Sequence, residues 1–156
     1  HGGSVRVEIQ HADPFTCRDN TVSQCIRNEK EKYFHEGRYN RFAEDVRKAI
    51  NNFKLFMQLS GNVAGFAASA KGNTLLNCAG VTNKMRYIVD QTPEKLGKFS
   101  PGTGIRIVDM DRLKKDPPEY LVVLSWNFQK DIIEKCRKAG YRGKFVIPIP
   151  QIEIIE

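Results

Sequence analysis

One stretch constrains the fold of this chain more than any other, and it runs from Asn62 to Asn77. It opens with an apolar run of strand length, Val63 to Ala68, and passes through small residues into a helix-like segment. A strand that enters a helix through a tight turn is the phosphate-binding unit of doubly wound α/β folds. The stretch therefore predicts an α/β fold built around a parallel sheet.

The turn itself offers groups suited to an anion. The first N–H groups of a helix have no backbone partner, and the helix dipole favours negative charge at that end. Lys71 adds a full positive charge there, and Asn73 and Thr74 can donate hydrogen bonds. The candidate binding residues of the turn are Ser69, Lys71, Gly72, Asn73 and Thr74. A plain strand–helix connection with an exposed lysine explains the same spacing equally well.

Hydrophobic periodicity extends this pattern along the chain. It predicts strands over 4–10, 63–68, 85–89, 105–108, 120–124 and 145–149, and helices over 21–33, 39–59, 70–79, 110–115 and 128–139. Strands that alternate with helices give a parallel sheet covered on both faces. Pro148 and Pro150 mark the last strand as an edge, and an alternating apolar tail follows it.

The helix over 39–59 carries an apolar stripe, which predicts that it packs along one face of the sheet. The stripe includes Phe42, Val46, Ile50 and Phe53. Gly61 is expected to end this helix in a left-handed conformation. The segment before Gly37 has few apolar positions, so we expect it to be less well packed than the rest.

Three further sets of residues follow strand ends or lie between strands. Asp90 ends the second strand of the opening unit, where an acidic residue can accept hydrogen bonds from a ribose, although a turn-initiating role is as good an explanation. The long polar loop 92–103 contains Pro101, Gly102 and Thr103, and Trp126 and Asn127 follow the central strand. Trp126 could stack on a ring, and Asn127 would cap the next helix. All are predicted to line one crevice at the carboxyl edge of the sheet.

Composition narrows the function classes. The chain has 156 residues and a net charge of +7, which favours an anionic partner, but the basic residues are spread among acidic ones. This spread argues against a nucleic-acid partner. No apolar run approaches the length of a membrane span, no secretory leader is visible, and the four cysteines lack the spacing of a zinc or redox motif. These features predict a cytoplasmic domain.

Several segments in order resemble the C-terminal domain of the sugar C-methyltransferases, S-adenosylmethionine-dependent enzymes of deoxysugar biosynthesis. The matching pieces are His1 to Arg6, Ala64 to Phe66, Ala70 to Asn77, Tyr87 to Asp90, Lys95 to Thr103, Trp126 with Asn127, and Gly143 to Pro150. The resemblance covers nearly the whole chain. It implies a Rossmann-like three-layer sandwich over residues 38–156, preceded by a connecting strand and helical segment over residues 1–37.

The resemblance also implies what the domain does. An upstream zinc module and an upstream methyltransferase domain would hold zinc and S-adenosylmethionine, so neither cofactor nor any catalytic residue is expected here. The domain would bind the nucleotide-diphosphate sugar beside the upstream methyltransferase domain of the same chain, and it would be inactive alone. A stand-alone Rossmann-type nucleotide or coenzyme A module is the alternative, and a nucleic-acid-binding domain is a distant one.

Overall fold

The computed structural model describes residues 5–9, 11, 20–34, 36–81 and 83–156. The chain forms two compact units, residues 1–46 and 47–156. In the first unit the strand predicted over 4–10 is wrong for its described part, because residues 5–9 form no strand and are exposed. Ser4 and Gln10 lie outside the described residues. Alternation marks residues that could share a face, but it does not supply a neighbouring strand to pair with.

Helices dominate the described part of the first unit. Helix α1 spans Thr21–Tyr33 and has no buried residue, in agreement with the expected weak packing. Helix α2 spans Glu36–Leu59, begins three residues before the predicted 39–59, and continues into the second unit. Phe42 is 68% exposed and Val46 is 39% exposed. The first half of the predicted stripe is therefore wrong, because periodicity identifies an apolar face without showing that anything covers it.

The second unit contains a six-stranded sheet in the order β3-β2-β1-β4-β5-β6. The strands are β1 Val63–Phe66, β2 Met85–Val89, β3 Ile107–Val108, β4 Tyr120–Val123, β5 Lys144–Ile147 and β6 Glu153–Ile155. Strands β1 to β5 are parallel, and β6 is antiparallel to β5. The helices are α3 Ala70–Cys78, α4 Asp111–Lys115 and α5 Gln129–Lys138, with single 3-10 turns at Pro93–Lys95 and Trp126–Phe128. The predicted Rossmann-like α/β class is confirmed.

The sheet separates two apolar clusters. The first cluster joins Phe53 and Met57 of α2 and Leu76 of α3 to one face of the strands. The second cluster joins Leu113 of α4 and Ile132 of α5 to the other face. Phe53 is completely buried, so the second half of the predicted stripe does pack on the sheet. Helices on both faces are the expected consequence of strands that are apolar on both sides.

One edge of the sheet is covered by a piece of loop, and the other ends in the short strand β6. Along β3, the Gly97 N–H donates to the Ile107 carbonyl at 3.0 Å, and the Ile107 N–H donates to the Lys98 carbonyl at 2.8 Å. On the opposite side β6 pairs with β5, so the prediction of β5 as an edge strand is wrong. Strand β5 ends at Ile147, before the prolines, which therefore remove no hydrogen bond from it.

Two predicted helix ends also differ from the structure. Gly61 does not adopt a positive φ, so it is not a left-handed stop, whereas Gly80 after α3 has φ +64°. Asn127 lies inside the 3-10 turn, and Phe128 takes the position before α5 without a side-chain cap. The extra 3-10 turn moves the start of α5 past Asn127, and the capping prediction is therefore wrong.

Candidate functional site

The candidate site lies where the strand order reverses. Strand β1 is flanked by β2 on one side and β4 on the other, and the chain leaves β1 and β4 toward helices α3 and α5. In open parallel sheets such a reversal leaves a crevice at the carboxyl ends of the two strands. The predicted turn from Ser69 to Thr74 follows β1, and Trp126 follows β4 shortly after. The fold thus brings these two predicted groups to the same edge.

Ser69 and Gly72 hold α3 against the end of β4. The Ser69 hydroxyl oxygen accepts the Gly72 N–H at 3.2 Å, which caps α3, and the hydroxyl donates to the Leu124 carbonyl at 3.1 Å. A Cβ added to Gly72 would lie 2.6 Å from the Leu124 Cβ. Glycine is therefore required at this position by the close approach of helix and strand. Thr74 turns its hydroxyl back onto its own helix and donates to the Ala70 carbonyl at 3.0 Å.

Lys71 lies beside the aromatic side chains that follow β4. Its Nζ is 5.1 Å from the ring centroid of Trp126 and 5.9 Å from that of Phe128. Both distances allow a cation–π attraction. Trp126 also packs against both apolar clusters, so its ring is held in place and Lys71 covers part of it. The pair places a positive charge near the start of α3. Asn127, next in sequence, is exposed.

A cleft of about 420 Å³ opens between the start of α3 and the loop that precedes β3, and neither Lys71 nor Trp126 lines it. We call it the switch-point cleft. Its apolar lining side chains include Leu76, Ile88, Ile107 and Leu124. Its polar lining residues are Ser69, Asn73, Lys95, Lys98 and Ser100, and Pro101 lines it as well. Lys95 and Lys98 were missed from the predicted site. Two lysines three residues apart in a long loop were the available signal.

Asn73 lines the switch-point cleft and carries an unusual buried polar atom. Its side-chain Oδ1 is shielded from solvent and has no hydrogen-bond partner among the described residues. A buried acceptor without a donor costs roughly 1–3 kcal/mol. Such atoms are rare in native folds and call for an explanation. Because this oxygen is shielded, a ligand in the cleft could reach it only after the Asn73 side chain rotates.

Asp90 braces the site from within. Its carboxylate accepts the Ala68 N–H at 2.7 Å and the Thr92 N–H at 2.8 Å, and Lys95 Nζ lies 3.4 Å away. Burial alone pushes the pKa of Asp90 up, but the hydrogen bonds from Thr92 and Ala68 and the charge of Lys95 outweigh it, so the pKa is lowered. Through these bonds the buried Asp90, only 6% exposed, links the turn after β1 to the turn after β2.

The loop residues predicted for the site divide into two kinds. The Pro101 carbonyl accepts the Asn77 Nδ2 at 3.1 Å, which fastens the loop to α3. Gly102 has φ +77°, and a Cβ there would lie 2.0 Å from the Asn77 side chain. The Thr103 hydroxyl is buried and bonds to Ser100 inside the loop. Pro101 lines the cleft, whereas Gly102 and Thr103 shape the loop that forms its wall.

The described residues also bear on two other classes of site, metal centres and membrane spans. Within the described ranges no three His, Cys, Asp or Glu side chains come together in a way that could hold a metal ion. The described helices include none that is both long enough and apolar enough to cross a membrane. The turn after β1 has no Gly-x-Gly pattern.

Comparison with known proteins gives two matches. A family model for the C-methyltransferase C-terminal domain matches residues 1–150. The C-methyltransferase NovU of Streptomyces niveus is 31% identical over 162 residues, which cover 99% of this chain and 39% of that protein. The chain therefore spans about two fifths of the length of this relative.

Proposed function

This chain belongs to the C-methyltransferase C-terminal domain family, and on that premise we propose that it binds a nucleotide-diphosphate sugar. The sugar would be a 4-keto-deoxysugar, held in the switch-point cleft for C-methylation by an upstream domain. The observation that carries the proposal is a cleft at the reversal of strand order, lined by Asn73 and by Lys95 and Lys98 of the facing loop. Sugar hydroxyls and phosphate oxygens are partners that suit such amide and ammonium groups.

The positive charges near the cleft favour a ligand that carries an anionic group. Lys71 lies at the start of α3, where the helix dipole also favours negative charge, and Lys98 lies on the opposite wall. Lys95 Nζ donates to the Ala68 carbonyl at 2.9 Å, so it is held close to the same turn. A diphosphate at the mouth of the cleft would meet positive charge from both the helix and the loop.

The chemistry of the reaction suggests which steps this chain carries out and which belong to upstream domains. Carbon methylation beside a ketone requires removal of a neighbouring proton and a methyl donor, and S-adenosylmethionine would supply the methyl group elsewhere in the polypeptide. Residues of this chain bind and orient the sugar nucleotide, because binding energy from a remote nucleotide can hold the reacting carbon in place. In this proposal zinc and S-adenosylmethionine belong to upstream domains, the fragment alone is inactive, and the enzyme is cytoplasmic.

The proposal also assigns the two parts of the chain. Residues 1–37 would connect the upstream methyltransferase domain to the binding domain over residues 38–156. No nucleic acid or membrane takes part. The test of binding is calorimetric titration of the full-length enzyme with the nucleotide-diphosphate sugar. We expect Lys71→Gln to weaken the affinity by about 1.5–3 kcal/mol, the range for a charge-assisted hydrogen bond.

Controls separate a local effect from a general loss of charge. Lys130→Gln removes a lysine from the exposed side of α5 and should leave the affinity unchanged. S-adenosylmethionine affinity should be the same in all three proteins. An unaltered sugar-nucleotide affinity in Lys71→Gln, or an equal loss for both ligands, would contradict the assignment. Equal binding of the nucleotide with and without its sugar would favour a plain nucleotide-binding module.

A further inference from the structure

A second cleft lies beside β3 and takes no part in the function proposed above. Its volume is about 450 Å³, within the range of about 300–1,000 Å³ found for small-molecule sites. We call it the arginine cleft. Its cationic side chains are Arg86, Arg106, Arg112 and Lys115.

The arginine cleft and the switch-point cleft lie on opposite faces of the sheet. The arginine cleft is lined by Tyr87 and Val108, which belong to the second cluster. The switch-point cleft is lined by Ile88 and Leu124 of the first cluster, and Ile107 borders both. One ligand therefore cannot fill both clefts, and any binding in the second is a separate event.

Two of the four cations are held in a fixed arrangement. Arg86 and Arg112 both donate to the same Asp116 oxygen, at 2.5 and 2.8 Å. The pKa of Asp116 is lowered, first by the hydrogen bond from Arg86 and then by the charges of both guanidinium groups. Both guanidinium groups also lie against the Tyr87 ring, 5.8 and 5.5 Å from its centroid. Arg86 also donates to Asn62 Oδ1 at 2.7 Å, and because each arginine has five N–H donors, both side chains keep donors that these bonds do not use.

The other two cations are uncompensated within the described residues. Arg106 and Lys115 are exposed and form no ion pair with any described carboxylate. Asp109 and Asp116 are the carboxylates at the cleft, so the four cations leave a local charge of about +2. Guanidinium groups match the geometry of phosphate oxygens, and convergent charge in a concave site concentrates anions.

We infer that the arginine cleft binds a small phosphorylated ligand, with its dianionic phosphate between Arg106 and Lys115 and in reach of Arg86 and Arg112. Leu96 and Val108 form an apolar wall beside these charges, which leaves room for an uncharged part of the ligand. The site is independent of Lys71 and of the switch-point cleft.

The test uses the ¹⁵N-labelled 156-residue chain, titrated with inorganic pyrophosphate at about 0.15 M salt, where long-range attraction between exposed charges is screened. We expect amide signals of residues 106–112 to shift in the unaltered chain and equally in Lys71→Gln. The double variant Arg106→Gln/Lys115→Gln should raise the dissociation constant for these shifts at least about tenfold, the equivalent of 1.4 kcal/mol.

A matched variant removes the same charge elsewhere. Lys54→Gln/Lys130→Gln loses two exposed lysines of α2 and α5 and should bind pyrophosphate at residues 106–112 as the unaltered chain does. No shifts at 106–112, or an equal loss of binding in both double variants, would overturn the inference. Shifts at residues 68–73 that survive the Arg106→Gln/Lys115→Gln change report on the switch-point cleft, so either proposal can fail while the other stands.

Discussion

Replacing Gly72 by alanine tests the contact that fixes the candidate site. Alanine is favoured over glycine in a helix interior by about 0.8–1.0 kcal/mol, so propensity alone predicts a gain. In this fold the new Cβ would lie 2.6 Å from the Cβ of Leu124 and 3.1 Å from its carbonyl oxygen. Both atoms are fixed to the strand backbone and cannot rotate away. Overpacking of this kind costs about 1–3 kcal/mol, and because backbone must move we expect a net loss of about 2 kcal/mol.

The measurement is urea unfolding followed by tryptophan fluorescence, which reports on the site because Trp126 is the only tryptophan. A loss of that size lowers the midpoint by about 1 M urea at a typical slope for a small domain. The control is Gly61→Ala, where a Cβ meets no atom within 4 Å. It should change stability by no more than about 0.4–1 kcal/mol. A Gly72→Ala chain as stable as the unaltered one would show that helix propensity, and not the close approach to β4, governs this position.

Three further outcomes are expected. Phe53→Ala should lower the free energy of unfolding by about 3–5 kcal/mol because the ring is fully buried, whereas Phe42→Ala should change it by less than about 0.5 kcal/mol because Phe42 is 68% exposed. Equal losses for the two variants in chemical denaturation would contradict the packing described. The pKa of Asp90 is lowered in the folded state, so its contribution to stability is fully present above the unfolded value of 3.8 and is lost as pH falls through the folded value. The difference in unfolding free energy between the unaltered chain and Asp90→Asn should therefore shrink below about pH 4. A difference that stays constant from pH 3 to 7 would refute this. Asn73→Leu removes an acceptor that has no donor, so it should leave stability within about 1 kcal/mol of the original while it weakens sugar-nucleotide binding; a loss of both stability and binding would instead indicate a structural role for Asn73.

Local patterns in the sequence predicted most of the secondary structure. Strand β2 was predicted over 85–89 and lies at Met85–Val89, because a short apolar run between turns is a local signal. The stripe on α2 predicted the burial of Phe53 and failed for Phe42. Strand β6 was predicted only as an alternating apolar tail, because alternation alone does not show that a segment pairs, even with the strand just before it in sequence.

The site was harder to predict than the fold, because its contacts join residues that are far apart in sequence. Ser69 and Lys71 were selected from the turn after β1, and the structure does bring them to the end of β4. The bond from Ser69 to Leu124 links residues 55 positions apart, and no spacing rule contains it. The internal role of Asp90 depends on the Ala68 N–H and on Lys95, both outside its own strand. Sequence patterns identified the polar side chains but not which of them would form hydrogen bonds within the fold itself.

The two edges of the sheet bear on how the chain behaves at high concentration. Unpaired strand edges offer rows of N–H and C=O groups to other chains, and such edges nucleate aggregation. Here residues 97–99 occupy the outer side of β3, and the outermost strand at the other end is only the three residues Glu153–Ile155. Glu153 and Glu156 place negative charge along that short strand. Self-association through strand pairing is therefore disfavoured at both ends of the sheet.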